Sequence, residues 1–148
     1  MAFSLQVDVG GAAPANDTCG AAIDLPLNTS LPGTTLVATA DYSAASSWYG
    51  GACAYSLSGP DVAYKFTATT AGPYTVRVVP QLGFDPGLAV LSACAANSCL
   101  ANTDVGNAGD PDALVLDAAA GATYYVIVDS WFSSALGGRG GFTVSVAH

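Results

Sequence analysis

Between Asp61 and Thr69, large apolar residues alternate with small or polar ones: Val62, Tyr64 and Phe66 are separated by single residues. A period of two gives a segment one apolar face and one wettable face, so this stretch predicts a β-strand. Gly59-Pro60 directly before it is a turn signal. We therefore predict that the strand begins at Asp61, with its carboxylate exposed at the mouth of the strand.

The same alternation predicts short strands along most of the chain, separated by Gly, Pro and Asp turns. Tyr74 to Val78 follows Ala71-Gly72-Pro73 and predicts the hairpin partner of the Asp61 strand. Thr123 to Asp129 is apolar on both faces, which predicts a central strand. Other short apolar or β-branched runs cover residues 22–27, 34–39, 88–93, 114–116 and 142–146, and loops cover residues 41–52, 102–112 and 131–141. About nine short strands without a long amphipathic helix predict an all-β antiparallel sandwich or jelly roll.

The first nine residues form the most regular of these patterns, with Phe3, Leu5, Val7 and Val9 on one face. Residues 10–15 are Gly, Ala and Pro, which predicts a flexible linker to a sandwich domain over residues 16–148. The strand could pair with an edge of its own sandwich. It could instead add to a neighbouring copy, and such a head-to-tail contact propagates into rings or filaments.

The length and net charge of the chain limit the classes of protein to which it can belong. A chain of 148 residues predicts one domain with a real core. All eleven acidic residues are Asp, which favours turns over helices, and three basic residues leave a net charge of −8. This charge argues against nucleic acid or an anionic membrane surface as partner and leaves room for bound cations. No apolar run is long enough for a membrane span.

Four cysteines, Cys19, Cys53, Cys94 and Cys99, predict two disulfides and an oxidising, extracellular environment. Three pairings exist, and we favour Cys19–Cys53 with Cys94–Cys99, because the second pair would clamp a short turn. A zinc site is the alternative, but the chain lacks a C-x-x-C pair and its single histidine is the last residue.

The residues give little support for catalysis, and we predict that the protein is not an enzyme. His148 is terminal and would make a poorly fixed general base. The sequence contains no G-x-S-x-G elbow, no H-E-x-x-H pair and no phosphate-binding Gly loop before a helix.

With these features placed, the chain from Asn16 to Val146 resembles the bacterial pre-peptidase C-terminal (PPC) domain, a secreted β-sandwich. The matching pieces are Asn16-Asp17-Thr18-Cys19, Pro60 to Phe66, Ala71 to Val76, Phe84-Asp85-Pro86-Gly87-Leu88, the Cys94 to Cys99 turn, Ala120 to Asp129, and Gly141-Phe142-Thr143-Val144. The family is related in fold to the collagen-binding modules of clostridial collagenases, which bind calcium between an Asn/Asp segment at the domain start and acids before the organising strand. The resemblance thus implies an extracellular bacterial protein with Asn16, Asp17 and Asp61 as calcium ligands. Residues 11–15 lack the Glu ligands of those modules.

Two other groups of residues are candidates for contacts. Trp48, Tyr49, Trp131 and Phe132 lie in predicted loops, where they would either contact a polysaccharide or protein or cover the open ends of the core. Asp104, Asp110 and Asp112 form either a second cation site or solvated turns. Two function classes follow: a structural or assembly module, and a polysaccharide- or protein-binding module that depends on calcium.

Overall fold

The computed structural model describes residues 12–42, 52–53, 55–81, 83–131 and 138–148. These residues contain nine β-strands and one 3-10 turn, Cys19–Ala21. The strands are β1 (Ile23–Asp24), β2 (Thr29–Thr34), β3 (Val62–Thr67), β4 (Gly72–Pro80), β5 (Gly87–Leu91), β6 (Cys99–Thr103), β7 (Asp112–Ala118), β8 (Thr123–Asp129) and β9 (Gly141–Ala147). The predicted N-terminal strand Phe3 to Val9 lies outside the described residues.

The strands form two sheets with a nested order of pairing. One sheet has the order β1-β3-β8-β5-β6 and the other has the order β2-β9-β4-β7. Antiparallel pairs join β2 to β9, β3 to β8, β4 to β7 and β5 to β6, while β1 pairs with β3 in parallel. Eight strands paired from the outside inwards across two sheets are a jelly roll, which confirms the predicted fold class.

The main core lies between the two sheets, because alternate residues of facing strands point inwards. Its large fully buried side chains come from both sheets, with Tyr74, Val76 and Val78 on β4 opposite Leu88 and Val90 on β5. Aromatic rings connect the layers: the ring centroids of Phe66 and Tyr74 lie 5.8 Å apart.

A second cluster of apolar residues covers the outer face of the five-stranded sheet. It consists of Ala63, Ala89, Leu91 and Ile127 from the sheet, Cys19, Cys53 and Cys99, and Tyr42 and Leu57 from the segments that lie over it. We call this group the outer cluster. It explains why β8 is apolar on both faces, and it confirms the prediction that Thr123 to Asp129 is a central strand.

The predicted hairpin between β3 and β4 is wrong. The chain leaves the five-stranded sheet after Thr67 and enters the other sheet at Gly72, whose φ of 132° is accessible to glycine. Tyr74 holds this crossing: its hydroxyl accepts hydrogen bonds from the main-chain N–H groups of Thr69 and Thr70, at 3.1 and 3.2 Å. Both strands direct their apolar face into the same core, so alternation alone does not distinguish a hairpin from a crossing.

The preferred disulfide pairing is also wrong. The four cysteines form Cys19–Cys94 and Cys53–Cys99, with Cα atoms 5.7 and 6.0 Å apart. The turn between β5 and β6 needs no clamp, because Ser98 Oγ donates to the carbonyl of Ala93 at 2.7 Å and the N–H of Ser92 donates to the Ser98 carbonyl at 2.9 Å. Each disulfide instead fastens one covering segment to this hairpin over the outer cluster.

Smaller differences concern strand boundaries. Of the run at residues 22–27, only Ile23–Asp24 is a strand, and the run at residues 34–39 lies mostly after β2. β7 is longer than the predicted residues 114–116, and β6 had not been predicted, because Cys-Leu-Ala-Asn-Thr carries little apolar alternation.

Candidate functional site

Asp61 is completely buried, which corrects the prediction of an exposed carboxylate. The segment before it folds over the start of β3, where the N–H of Asp61 donates to the Thr39 carbonyl at 3.0 Å. Asp61 Oδ2 accepts hydrogen bonds from the main-chain N–H groups of Asp41 and Tyr42, at 3.0 and 2.9 Å. Its other oxygen, Oδ1, is buried without a hydrogen-bond partner. The side chain therefore holds the covering segment in place.

A second buried acid, Asp129, lies beside Asp61. The register pairs Val62 with Val128, so the next positions on β3 and β8 bring the two carboxyl groups to the same end of the sheet. Burial, and then the charge of Asp129, raise the pKa of Asp61 to about 9. Burial and the neighbouring charge therefore favour the neutral form of the Asp61 carboxyl group. Asp129 Oδ1 accepts a hydrogen bond from the N–H of Ser130 at 2.7 Å.

Asn16 and Asp17 lie on the same side of the sheet but serve the backbone. Asn16 is buried, and its Nδ2 donates to the carbonyl of Ala63 while its own carbonyl accepts from the Ala63 N–H, both at 2.9 Å. Asp17 binds Thr39 with both carboxylate oxygens, accepting from its N–H at 2.7 Å and its hydroxyl at 2.9 Å. These contacts lock the domain start against β3 and the segment above it.

Hydrogen bonds within the chain already engage side-chain atoms of all three calcium ligands that the resemblance implies, although Asp61 Oδ1 has none. The amide of Asn16 presents its nitrogen to a carbonyl, and Asp17 already has partners for both oxygens. Among the described residues, no group of three or more Asp, Glu, His or Cys side chains is arranged to hold a metal ion. Calcium binding by Asn16, Asp17 and Asp61 stays a prediction.

A second acidic group lies between the β6–β7 loop and the turn before β5. Asp112 is 1% exposed, and its Oδ1 accepts from the N–H groups of Val105 and Gly106, at 3.2 and 2.9 Å. Its Oδ2 and the Oδ1 of Asp85 are buried without hydrogen-bond partners. The interpretation of this stretch as solvated turns is therefore wrong for Asp112. We call Asp85, Asp104 and Asp112 the acidic loop cluster.

The acidic loop cluster is electrostatically unfavourable when fully ionised. Burial, followed by the charges of Asp85 and Asp112, raises the pKa of Asp104 to about 7. Burial and the charges of Asp112 and Asp110 raise the pKa of Asp85, and burial raises that of Asp112 despite its two backbone hydrogen bonds. Three acids with raised pKa values in one place mark a site that favours a positively charged ligand or a proton.

Of the four aromatic residues predicted to make contacts, one lies among the described residues. Trp131 is 53% exposed at the end of β8. Trp48, Tyr49 and Phe132 lie outside the described residues. A role for these four residues in binding a polysaccharide or a protein stays a prediction.

The edges of the four-stranded sheet differ from each other. β2 carries Pro32, which has no N–H to donate, and pairs with β9. β7 has no proline, and its described hydrogen-bonded neighbour is β4 on one side. Leu114 on β7 is half-buried and packs on the main core, and Val115 on the opposite face is 64% exposed. Within the described part of the chain, β7 is the long edge without a second partner strand.

No family model matches the sequence, and no curated protein matches it. Among solved structures, the pre-peptidase C-terminal domain of collagenase from Bacillus anthracis is similar at 14% identity and a TM-score of 0.52, over 84% of this chain and 93% of that one. A surface-associated copper-binding protein of Methylomicrobium album BG8 has 14% identity and a TM-score of 0.46, over 84% and 96% of the two chains. The C-terminal CBM6 of LamC from Zobellia galactanivorans has 15% identity and a TM-score of 0.38, over 79% and 99%.

The first of these similarities confirms the resemblance at the level of the fold. The sandwich matches a pre-peptidase C-terminal domain over most of both chains. Within the described residues, no helix is long and apolar enough to cross a membrane. The structural match with the collagenase domain shows that the chain has the fold of a pre-peptidase C-terminal domain.

Proposed function

We propose that this chain is a non-catalytic, extracellular structural module that assembles with copies of itself by strand addition. The strand Phe3 to Val9 of one copy would pair with β7 of the next. The observation that carries the proposal is the long edge at β7, which has no second partner strand among the described residues. Two disulfides and the fold shared with a pre-peptidase C-terminal domain support an extracellular location.

The edges of the two sheets are not equally suited to accept a strand. β1 has two residues, β2 is interrupted by Pro32, and β6 is covered where the side chain of Asn102 exchanges hydrogen bonds with the backbone of Tyr55. β7 spans seven residues without a proline. Phe3 to Val9 also spans seven residues, so donor and acceptor match in length. An unpaired edge of this kind is a template for another chain.

Side-chain pattern supports the same pairing. Added beside β7, the strand would place Phe3, Leu5, Val7 and Val9 over the open side of the main core, next to half-buried Leu114. Full burial of an apolar side chain of this size contributes about 1.5–3 kcal/mol, so the four together supply several kcal/mol. Because the donor strand and the acceptor edge are different surfaces, the contact does not close on itself and extends into a filament or ring.

The test combines a deletion with matched surface variants. Mass measured by light scattering across a concentration series should show oligomers for the intact chain and monomers for the chain without residues 1–10. Leu5→Asn with Val7→Asn should prevent assembly, whereas Ser4→Asn with Gln6→Asn, on the polar face, should leave it intact. A truncated chain that keeps both its assembly state and its stability would overturn the proposal. A truncated chain that loses stability, when both chains are monomeric, would show that the strand pairs within its own subunit.

A further inference from the structure

We propose that the acidic loop cluster of Asp85, Asp104 and Asp112 is a binding site for a divalent cation of the calcium class. This site is separate from the acids at the start of β3. Asp112 is also the first residue of β7, but cation binding by these acids does not require the assembly proposed above.

Two buried carboxylate oxygens in the cluster have no partner. Asp112 is 1% exposed, and two backbone N–H groups satisfy its Oδ1 while its Oδ2 has no hydrogen bond. Asp85 Oδ1 is likewise buried without a hydrogen bond. Burying a charged oxygen without compensation costs free energy, and a cation that the two carboxylates share removes this cost.

The described cations are not in a position to neutralise the cluster. Lys65 lies 3.9 Å from Asp24, and Arg139 donates to the carbonyl of Leu36 at 3.2 Å. Arg77 pairs in register with Ala113 on β7, but it is exposed on the face of β4 opposite to the buried Val78 that pairs with Asp112. No positively charged side chain contributes to the pKa of Asp85, Asp104 or Asp112, whose neighbouring charges are all carboxylates. An external cation is therefore the complementary ligand.

The chemistry of the donors indicates the type of cation. The three side chains of the cluster offer carboxylate oxygens, and none of them is a thiol or an imidazole. Oxygen ligands suit the hard cations calcium and magnesium. Calcium accepts six to eight oxygens in flexible geometry, whereas magnesium demands a near-ideal octahedron. An irregular loop such as residues 104–111 suits calcium better.

Main-chain hydrogen bonds hold the β6–β7 loop in place, whereas the side chain of one acid of the cluster can change its position. The N–H of Gly109 donates to the carbonyl of Phe84 at 2.8 Å, and the N–H of Asp110 donates to the carbonyl of Asn107 at 2.8 Å. The first bond ties the β6–β7 loop to the turn that carries Asp85, and the second closes a turn within the loop. Asp104 is half-buried, and no hydrogen bond from a described residue holds its carboxylate. The described acids do not group in threes around one point, so the proposal requires Asp104 to move towards Asp85 and Asp112 when the cation binds.

The test uses the full chain, dialysed against a chelator and titrated with calcium chloride in a calorimeter. We expect saturable binding and a rise in melting temperature on adding calcium. Asp85→Asn with Asp112→Asn should weaken binding at least 100-fold, because both buried carboxylates lose their charge. The control, Asp24→Asn with Asp117→Asn, makes the same charge change at two exposed acids and should stay within twofold.

If the double variant fails to fold, Asp104→Asn still tests the proposal. The side chain of Asp104 is half-exposed, so this substitution should leave the fold intact. It should weaken binding at least tenfold with an unchanged circular dichroism spectrum. Absence of binding at millimolar calcium would overturn the proposal. Binding that survives Asp104→Asn, or that disappears only with Asp17→Asn and Asp61→Asn, would also overturn it.

Discussion

The pairing of the cysteines predicts how strongly each disulfide stabilises the fold. Cys19–Cys94 and Cys53–Cys99 close loops with sequence separations of 75 and 46 residues. In the chain-entropy model these loops correspond to about 4.5 and about 4 kcal/mol, whereas a Cys94–Cys99 bridge would add only about 2 kcal/mol. Replacing Cys53 and Cys99 by Ala should therefore lower the free energy of unfolding by about 4 kcal/mol, measured by urea denaturation under oxidising conditions.

Three double variants separate this pairing from the others. Without Cys19 and Cys94, or without Cys53 and Cys99, the remaining two cysteines should still form a disulfide, and a thiol titration in denaturant should find no free thiol. Without Cys94 and Cys99, one cysteine of each disulfide remains, and the titration should find two free thiols. An oxidised Cys19–Cys53 bridge in that variant, with stability close to that of the wild type, would refute the reasoning.

Three further predictions concern stability. Tyr74→Phe should cost about 1–3 kcal/mol, because the N–H groups at the crossing from β3 to β4 and the carbonyl of Thr70 lose the hydroxyl that binds them; urea denaturation measures it. Ile127→Ala should cost about 2–5 kcal/mol by opening the outer cluster, whereas Val115→Ala, at an exposed position on the opposite sheet, should change stability by less than about 0.5 kcal/mol in the same assay. Because the pKa of Asp61 is raised to about 9, the folded state holds a proton that the unfolded state releases near pH 4. Stability should therefore fall as pH rises from 5 to 8 in chelator, and Asp61→Asn should reduce that slope in thermal melts while leaving the part that comes from Asp104, whose pKa is also raised.

The sequence contained enough information for the fold class but too little for the topology. Strand alternation and turn residues correctly predicted β3, β4, β5, β8 and β9 and the central position of β8. They do not specify which strands pair, because strands of both sheets turn their apolar faces into one shared core. The pairing depends on specific contacts, such as the hydrogen bonds of the Tyr74 hydroxyl at the crossing from β3 to β4. The alternation of apolar and polar residues along the sequence does not reveal such contacts.

The acidic residues show the same limit more sharply. Asp is common in turns, so the natural expectation for Asp61 and Asp112 was a solvated carboxylate. Both are buried, because each accepts two backbone N–H groups from a segment that folds over it. Whether such an Asp is buried depends on the segment that covers it. The residues next to the Asp in the sequence do not reveal that segment. The signal that pointed to a second cation site was the density of Asp at positions 104, 110 and 112, and it lacked Asp85, which comes from a different turn.

The outer cluster connects these observations with function. The five-stranded sheet is covered on its outer face, and two kinds of contact hold the covering segments in place. Cys19 and Cys53 hold them by disulfides, and Asp17 and the buried Asp61 hold them by hydrogen bonds. The centre of this sheet is therefore covered over the part of the chain that the structure describes, and its exposed apolar residues Ile23 and Leu100 lie on the edge strands. The other sheet exposes a face of mostly small and polar side chains together with Val79 and Val115, with β7 at its edge. Contacts with another copy of the chain are thus expected at the four-stranded sheet, and substitutions on its exposed face should affect assembly more than folding.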